Sequence, residues 1–399
     1  MERSPVLDGE KLSHIVSQGC RHYQFSDAIR QRAWVEINHA ALAHNIQALK
    51  ALLAPHTELL AVVKADAYGH GVIKIAETVL ANGATWLAIA TLGEGVELRE
   101  AGITAPILVL GATNTAIEIE AIAHWELQPT LCTIEQQQLF QKTMARLGKT
   151  LPVHLKIDTG MSRLGTRWEE APLFIEAVHS SENLEIASLY SHFATADEQD
   201  LTMTHLQHQR FKQALAELKQ RDIPLPKLHL SNSAGTILGQ AFHYDLVRVG
   251  LAIYGAYPAP HLEEKVDLKP VMQVKARITQ LKTLPPETGV SYGHRFVTAT
   301  ETKIAVVGIG YADGIPRTLS NNLKVLVNGQ LAPQIGSITM DQIMLDVTHL
   351  TNVQVGDVVT LIGEDGSDRL TVDQWANQLG TISYEIMCGF KHRLPRINL

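Results

Sequence analysis

The stretch Leu59-Leu60-Ala61-Val62-Val63-Lys64-Ala65-Asp66-Ala67-Tyr68-Gly69-His70-Gly71 decides the fold. Its aliphatic run ends in a lysine, and a glycine-bearing turn then leads into helical spacing over Val72–Leu80. A short aliphatic run bounded by turn residues marks a strand buried on both faces. The unit recurs. Further strands are predicted at Trp86–Ala90, Ile107–Leu110, Gln128–Cys132, Val153–Ile157, Leu184–Ser191, Lys227–Leu230 and Leu246–Gly250. Helical patterns at Glu135–Leu147 and Leu201–Lys219 lie between them. Eight strands, each followed by a helix or short turn, predict an α/β fold with a closed (β/α)8 TIM-type barrel over residues 38–269. An open doubly wound sheet is the alternative.

After residue 270 the rhythm changes. Val274–Leu281, Lys303–Gly308, Leu323–Val327, Gln342–Val347 and Val358–Ile362 read as strands. Pro285-Pro286, Asn328-Gly329 and Gly356-Asp357 punctuate them. Residues 270–399 are therefore expected to form a mainly β C-terminal domain interrupted by one helix, Val372–Leu379. Residues 31–37 read as a strand joining that domain, and residues 1–30 as an extension.

Composition narrows the class. Of 399 residues, 45% are hydrophobic and 19% charged, which suits a globular chain. The net charge of -7 disfavours nucleic acid or an anionic membrane as partner. Cys20, Cys132 and Cys388 show neither paired nor metal-binding spacing, so no metal is expected and a reducing, cytoplasmic setting is. No apolar run is long enough for a membrane span, and the first residues lack the pattern of a secretory signal.

The chemistry is expected at one end of the barrel. A lysine at the C-terminal end of a barrel strand points into the mouth, where such barrels work. Burial lowers its pKa and favours covalent capture of a carbonyl. A strand-end lysine also commonly snorkels to solvent, and the flanking residues must separate the two readings. Arg163, His192, Ser233, Arg248 and Gly250 fall at or just beyond other predicted strand ends, so they surround the same mouth. Two other signals carry no site. Gly308-Ile309-Gly310…Gly314 has the wrong spacing for a dinucleotide fingerprint. His205 and His208 lack a third ligand and read as a solvated helix face.

The string VVKADAYGHG (62–71) resembles the cofactor-lysine motif of alanine racemases. Eight further segments follow in that family's order: KIDTGMSRLG (156–165), YSHFATAD (190–197), SNSAGT (231–236), VRVGLAIYG (247–255), VSYGHRF (290–296), GIGYADG (308–314), MDQIMLDV (340–347) and TISYE…LPR (381–396). The resemblance covers roughly residues 31–399. It implies a homodimeric, pyridoxal 5′-phosphate (PLP) dependent racemase that interconverts L- and D-alanine and supplies D-alanine for peptidoglycan synthesis. Lys64 is then the cofactor-bearing lysine and one catalytic base, and Tyr292 is the second, on the opposite face. Two acceptors on opposite sides of a planar carbanion are what racemisation needs. A phenol is a poor base unless its surroundings help, and His192 with Arg248 would supply a positively charged relay.

The resemblance also sets Arg248 against the pyridine nitrogen. A guanidinium keeps its proton, so the ring stays a weak electron sink and reprotonation is favoured over transamination. Tyr68, Asn232, Ser233, Gly250, Leu251 and Tyr384 match cofactor-binding positions, with hydroxyls of Tyr68, Ser233 and Tyr384 and backbone N–H groups of Gly250 and Leu251 as donors to the phosphate and Asn232 bracing the loop. Arg163, Tyr311 and Met340 match substrate-binding positions, with Asp341 supporting their loop. Lys156 matches a lysine that carries a carbamate in relatives. Tyr292, Tyr311 and Met340 would enter from the partner subunit. Ser162 stands where relatives often have glycine or asparagine, and Thr339 where they often have cysteine.

Two other classes stay open on the residues. A second enzyme on this barrel is one, either a decarboxylase, which Arg248 disfavours, or a broad-specificity racemase. A non-catalytic PLP-binding protein is the other, disfavoured by residues 270–399 and Tyr292.

Overall fold

The computed structural model describes residues 32–399. The expected extension over residues 1–30, with Cys20, lies outside them. Strand β1 (Ala33–Ile37) precedes the barrel, whose strands are β2 (Glu58–Val62), β3 (Trp86–Ile89), β4 (Ile107–Ala112), β5 (Gln128–Leu131), β6 (Leu151–Asp158), β8 (Leu184–Tyr190), β9 (Lys227–His229) and β10 (Leu246–Val249). A two-residue strand, β7 (Thr166–Arg167), pairs only with β6. The parallel ladder runs β10-β2-β3-β4-β5-β6-β8-β9. Between β9 and β10 the ladder thins, and N–H donation from Arg248 to Ser231 (3.0 Å) and from Asp245 to Leu228 (3.0 Å) bridges the gap. The eight-strand barrel is thus nearly closed, as the aliphatic runs predicted.

Those runs are buried because helices cover their outer faces. Val72–Ala81 buries Val72, Ile75, Ala76 and Val79, and Ile134–Leu147 buries Phe140 and Met144. Ser/Thr caps fix several helix starts. Thr91 caps Leu92–Glu100 with Glu94 in a reciprocal box, and Thr133 caps Ile134–Leu147.

The second sheet is built from β11 (Met272–Leu284), β14 (Thr302–Val307), β15 (Lys324–Val327), β16 (Gln330–Pro333), β17 (Ile343–Asp346), β18 (Val358–Asp365), β19 (Asp368–Leu370) and β20 (Arg396–Asn398), with β1 inserted beside β11. β1 pairs antiparallel with β11, Ala33 opposite Ala276 and Ile37 opposite Met272. It pairs parallel with β20, Val35 opposite Arg396. A small hairpin of β12 (Gly289–Val290) and β13 (Phe296–Val297) stands apart. The helix Val372–Leu379 forms where expected, but a second helix, Ser383–Gly389, follows it. Its seven residues are too short for a periodic signal.

One local expectation is overturned. β2 ends at Val62, so Lys64 is not the last residue of the strand, and the turn after it is not made of glycine. Ala65, Asp66, Ala67 and Tyr68 all adopt left-handed helical angles, φ 52–55° and ψ 38–52°. This conformation costs L-residues roughly 1–2 kcal/mol each. Specific bonds offset the cost. Glu94 accepts from the Ala65 N–H (2.7 Å), Asp66 accepts from the Val72 N–H (2.8 Å), and the Arg396 guanidinium donates to the Gly69 carbonyl (2.8 and 3.0 Å). Gly69 itself has φ +80°, and a Cβ there would lie 2.5 Å from the Met387 carbonyl oxygen. The second helix of the C-terminal region therefore rests directly on the lysine-bearing turn.

Candidate active site

The C-terminal ends of the barrel strands open onto a cavity of about 630 Å³. Lys64, Tyr68, Lys156, Arg163, His192, Asn232, Ser233, Arg248, Gly250, Leu251 and Tyr384 all line it, so the structure brings these residues together. Among the described residues its wall carries four basic side chains, those of Lys64, Lys156, Arg163 and Arg248, and no carboxylate. Such a lining selects an anionic occupant. Among the described residues no cluster of side chains fit to hold a metal ion occurs.

Lys64 is half-buried at the start of the left-handed turn, and burial followed by the nearby Arg163 charge lowers its pKa. A larger share of neutral amine is then available to attack a carbonyl. Burial raises the Tyr68 phenol above its ordinary value and pushes Tyr384 up to about 12. Both remain hydroxyl donors at neutral pH. Their rings lie 5.8 Å apart, and Tyr68 also packs on Tyr254 at 4.9 Å. A Cβ on Gly250 would sit 2.5 Å from the Tyr68 hydroxyl, so only glycine leaves that hydroxyl in place. The Gly250 N–H donates to the Ser233 Oγ at 3.1 Å. Asn232 caps the short helix that starts at Ser233 by accepting from the Gly235 N–H (3.0 Å).

Arg248 lies within β10 and is only 4% exposed. Its guanidinium donates to the Ser191 carbonyl (2.7 Å), the Leu230 carbonyl (3.0 Å), His229 Nδ1 (3.0 Å) and His192 Nδ1 (3.2 Å). Burial pushes its pKa down to about 10, which still leaves it protonated at neutral pH. Burial, then Arg248 and the other cations, holds His192 well below the usual histidine range. His192 is therefore neutral. Since its Nδ1 accepts from Arg248, its proton sits on Nε2. Lys156 is buried under the Tyr190 ring (5.5 Å), and burial, then Arg248 and Arg163, pushes its pKa down to about 8.

Arg163 reaches the cavity from a loop held by Asp158, whose Oδ1 accepts from the N–H groups of Gly160, Met161 and Ser162 (2.9–3.0 Å). Ser162 has φ +55°. This explains why glycine or asparagine suits that position.

Tyr292, Tyr311 and Met340 do not line the cavity. They stand exposed on the second domain, Tyr292 at 75%. Gly310 packs against the Thr339 and Met340 carbonyls, and Tyr311 donates its N–H to Thr339 (3.0 Å), so Tyr311 and Met340 are neighbours. Thr339 pins the turn under Met340 by donating to the Gln342 carbonyl (2.8 Å). Asp341 pairs with Arg393 (2.7 Å), whose guanidinium also approaches the buried Asp313.

Sequence reasoning missed Tyr190, His229, Cys388 and Glu94. Tyr190 stacks on His229 at 4.7 Å and faces the Arg248 guanidinium at 5.1 Å. A histidine inside an otherwise aliphatic strand, as at His229, was the available signal. The reading of His208 as solvated is corrected. It is buried, its Nε2 meets the Tyr244 hydroxyl at 2.8 Å, and its ring packs on Phe242. His205, one turn away, is exposed.

The buried histidines make stability pH-dependent. Burial pushes His70 down to about 4 and His154 to about 3, while an unfolded histidine takes up its proton near 6.5. Their stabilising contribution is complete above pH 6.5 and is lost as pH falls toward 4. Each costs about 2 kcal/mol at pH 5. Melting at pH 7 and pH 5 should show a drop of several degrees, and an unchanged midpoint would contradict the neutral assignments.

The chain matches two family profiles, "Alanine racemase, N-terminal domain" over residues 37–258 and "Alanine racemase, C-terminal domain" over residues 271–398. It is similar to the alanine racemase of Synechocystis sp., with 62% identity over 92% of this chain and 99% of that protein. It is 55% identical to the alanine racemase of Nostoc sp. over 92% of this chain and 96% of that protein. Its fold is similar to a solved structure of alanine racemase from Clostridium difficile, with TM-score 0.88 and 35% identity over 92% of this chain and 96% of that one. It is also similar to that from Bartonella henselae with covalently bound pyridoxal phosphate, with TM-score 0.83 and 33% identity over 92% and 99% of the two chains. Among the described residues no helix is long and apolar enough to cross a membrane.

Proposed function

Since the chain belongs to the alanine racemase family and catalyses the interconversion of L- and D-alanine, we propose that Lys64 and Tyr292 move the proton on opposite faces of the substrate. The observation that carries this reading is the cavity at the barrel mouth, with a half-buried lysine, three further cations and no carboxylate.

The cavity suits PLP. A basic lining without carboxylates among the described residues suits a phosphate dianion and a substrate carboxylate, and Gly250 leaves the Tyr68 hydroxyl room to face the site. When bound, PLP supplies an electron sink for charge developing at the substrate α-carbon. The Lys64 amine would hold the cofactor and would take or return the substrate proton on its own face. Tyr68, Ser233 and Tyr384, with the backbone at Gly250 and Leu251, would hold the phosphate, and Asn232 would brace the loop. Arg248 would face the cofactor ring and yield no proton, with neutral His192 beside it. Arg163 takes the substrate carboxylate.

Tyr292 does not reach the barrel-mouth cavity of its own chain, so its role requires a homodimer in which Tyr292, Tyr311 and Met340 complete the partner's site. The three exposed apolar side chains are what such an interface would cover. We place the barrel domain at residues 38–269 and the β domain at 270–399. We place the enzyme in the cytoplasm, where it supplies D-alanine for peptidoglycan. The free thiols of Cys132 and Cys388 agree with a reducing compartment.

Borohydride reduction of the PLP-loaded protein followed by peptide mapping tests the reading. The pyridoxyl group should appear on Lys64, and a label elsewhere or absent would defeat it.

Lys156 is proposed to carry a carbamate. Its depressed pKa leaves neutral amine to attack carbon dioxide, forming an N–C bond and releasing one proton. The new anion would sit beside Arg163 and Arg248, which both act electrostatically on Lys156. Lys156→Ala should weaken substrate binding through a loosened Arg163, with KM rising about tenfold and bicarbonate no longer having any effect. Bicarbonate stimulation that survives in the variant would argue against the carbamate.

Gly250→Val should weaken PLP binding by about tenfold or more, because the added side chain must displace the Tyr68 hydroxyl. Titration of the apoprotein by fluorescence quenching reads this directly, and unchanged affinity would show that the close approach is dispensable.

A further inference from the structure

Arg248 is buried without a carboxylate at hydrogen-bond distance, yet its guanidinium stays in place. Two of its partners are carbonyls. A third, His229, begins a chain of polar groups that crosses the barrel interior. His229 Nε2 meets Ser188 Oγ at 2.7 Å, Ser188 Oγ meets His154 Nδ1 at 2.6 Å, and His154 Nε2 meets Gln128 Oε1 at 2.8 Å. These residues lie on β10, β9, β8, β6 and β5, neighbours in the barrel, so every link crosses from one strand to the next. His229, Ser188 and His154 are buried. Tyr190 stacks on the His229 ring, and Trp86 meets the His154 ring edge-on at 5.6 Å.

The ends of this chain fix its direction. A guanidinium only donates, so His229 Nδ1 accepts and its proton is on Nε2. That N–H donates to Ser188. The single serine proton then goes to His154 Nδ1, and the His154 proton, on Nε2, goes to Gln128 Oε1, which only accepts. The reverse order would set two donors face to face at Arg248. Donation therefore runs away from the guanidinium at every link, each group turning its acceptor toward Arg248 and its proton away, and aligned bonds in a low-dielectric interior reinforce one another. Burial holds both histidines far below their ordinary pKa, which keeps the chain neutral and complete near pH 7.

We infer that His229, Ser188, His154 and Gln128 form a one-way hydrogen-bond chain that stands in for a counter-ion to Arg248 and makes them positioning residues for the reaction. A carboxylate in that place would neutralise Arg248. A chain of neutral dipoles holds the cation while leaving its charge facing the cavity. The inference rests on the proposed role of Arg248 toward the cofactor ring, but the chain itself is read without it.

Nitrogen-15 NMR of histidine-labelled holoenzyme tests the chain. His154 and His229 should both be neutral with the proton on Nε2 at pH 7. A proton on Nδ1 of either ring, or a charged ring, would overturn the inference whatever the outcome of the Lys64 mapping. Coupling to the reaction is read by variants. Gln128→Leu removes the terminal acceptor and should lower kcat about threefold to tenfold with KM changed less than twofold. Gln128→Glu keeps an acceptor and should retain kcat within twofold. Ser188→Ala cuts the chain in the middle and should lower kcat as Gln128→Leu does, while the His229 proton, still fixed by Arg248, stays on Nε2. If Ser188→Ala fails to fold, the wild-type tautomers and the Gln128 pair still decide. Correct tautomers with unchanged kcat in Gln128→Leu would overturn the positioning role, while a Lys64 label would leave the cofactor assignment standing.

Discussion

Lys64→Ala should lower alanine racemisation by about 10⁴-fold or more, because one substitution removes both the covalent anchor and the proton acceptor on one face. The side chain is half-buried at the barrel mouth and makes no ion pair with any described residue, so its loss should leave the fold intact. Two measurements decide. Absorbance should show PLP bound only non-covalently, and the chiral assay should show no turnover at substrate concentrations that saturate the wild type. Circular dichroism matching the wild type would exclude misfolding. A variant that keeps both the covalent signal and the activity would remove Lys64 from the mechanism.

Mixing Lys64→Ala chains with Tyr292→Ala chains should restore activity that neither has alone. Random re-association makes half the dimers mixed. Each mixed dimer has one site with Lys64 from one chain and Tyr292 from the other, and one site lacking both. Recovery should therefore approach roughly one quarter of the wild-type value. This follows from Tyr292 being 75% exposed and outside its own cavity. No recovery after verified subunit exchange would mean that the second base comes from elsewhere.

Much of this was legible in the sequence. The aliphatic runs at Leu59–Val63 and Leu246–Val249 announced their strands because a strand covered on both faces has no polar residues to blur it. Strand ends then pointed to the mouth, and the lysine, the arginine of β10 and the serine after β9 do meet there. The left-handed turn was not legible. Alanine, aspartate, alanine and tyrosine have no preference for it, and contacts from Glu94, Met387 and Arg396, all distant in sequence, impose it. The chain behind Arg248 was hidden for a related reason. His154 and His229 look like isolated interruptions until the barrel sets their strands side by side. His208 misled because periodicity placed the helix but not the Tyr244 hydroxyl that receives it.

The grip of Arg396 on Gly69 spans 327 positions along the polypeptide. During synthesis, the segment that seats the reactive lysine emerges long after the barrel strands have left the ribosome. A nascent chain stalled before Ser383 should therefore make a barrel that binds PLP poorly. Vitamin B6 supply would then be consumed only by finished molecules, and a clipped tail would silence the enzyme without touching a reacting atom.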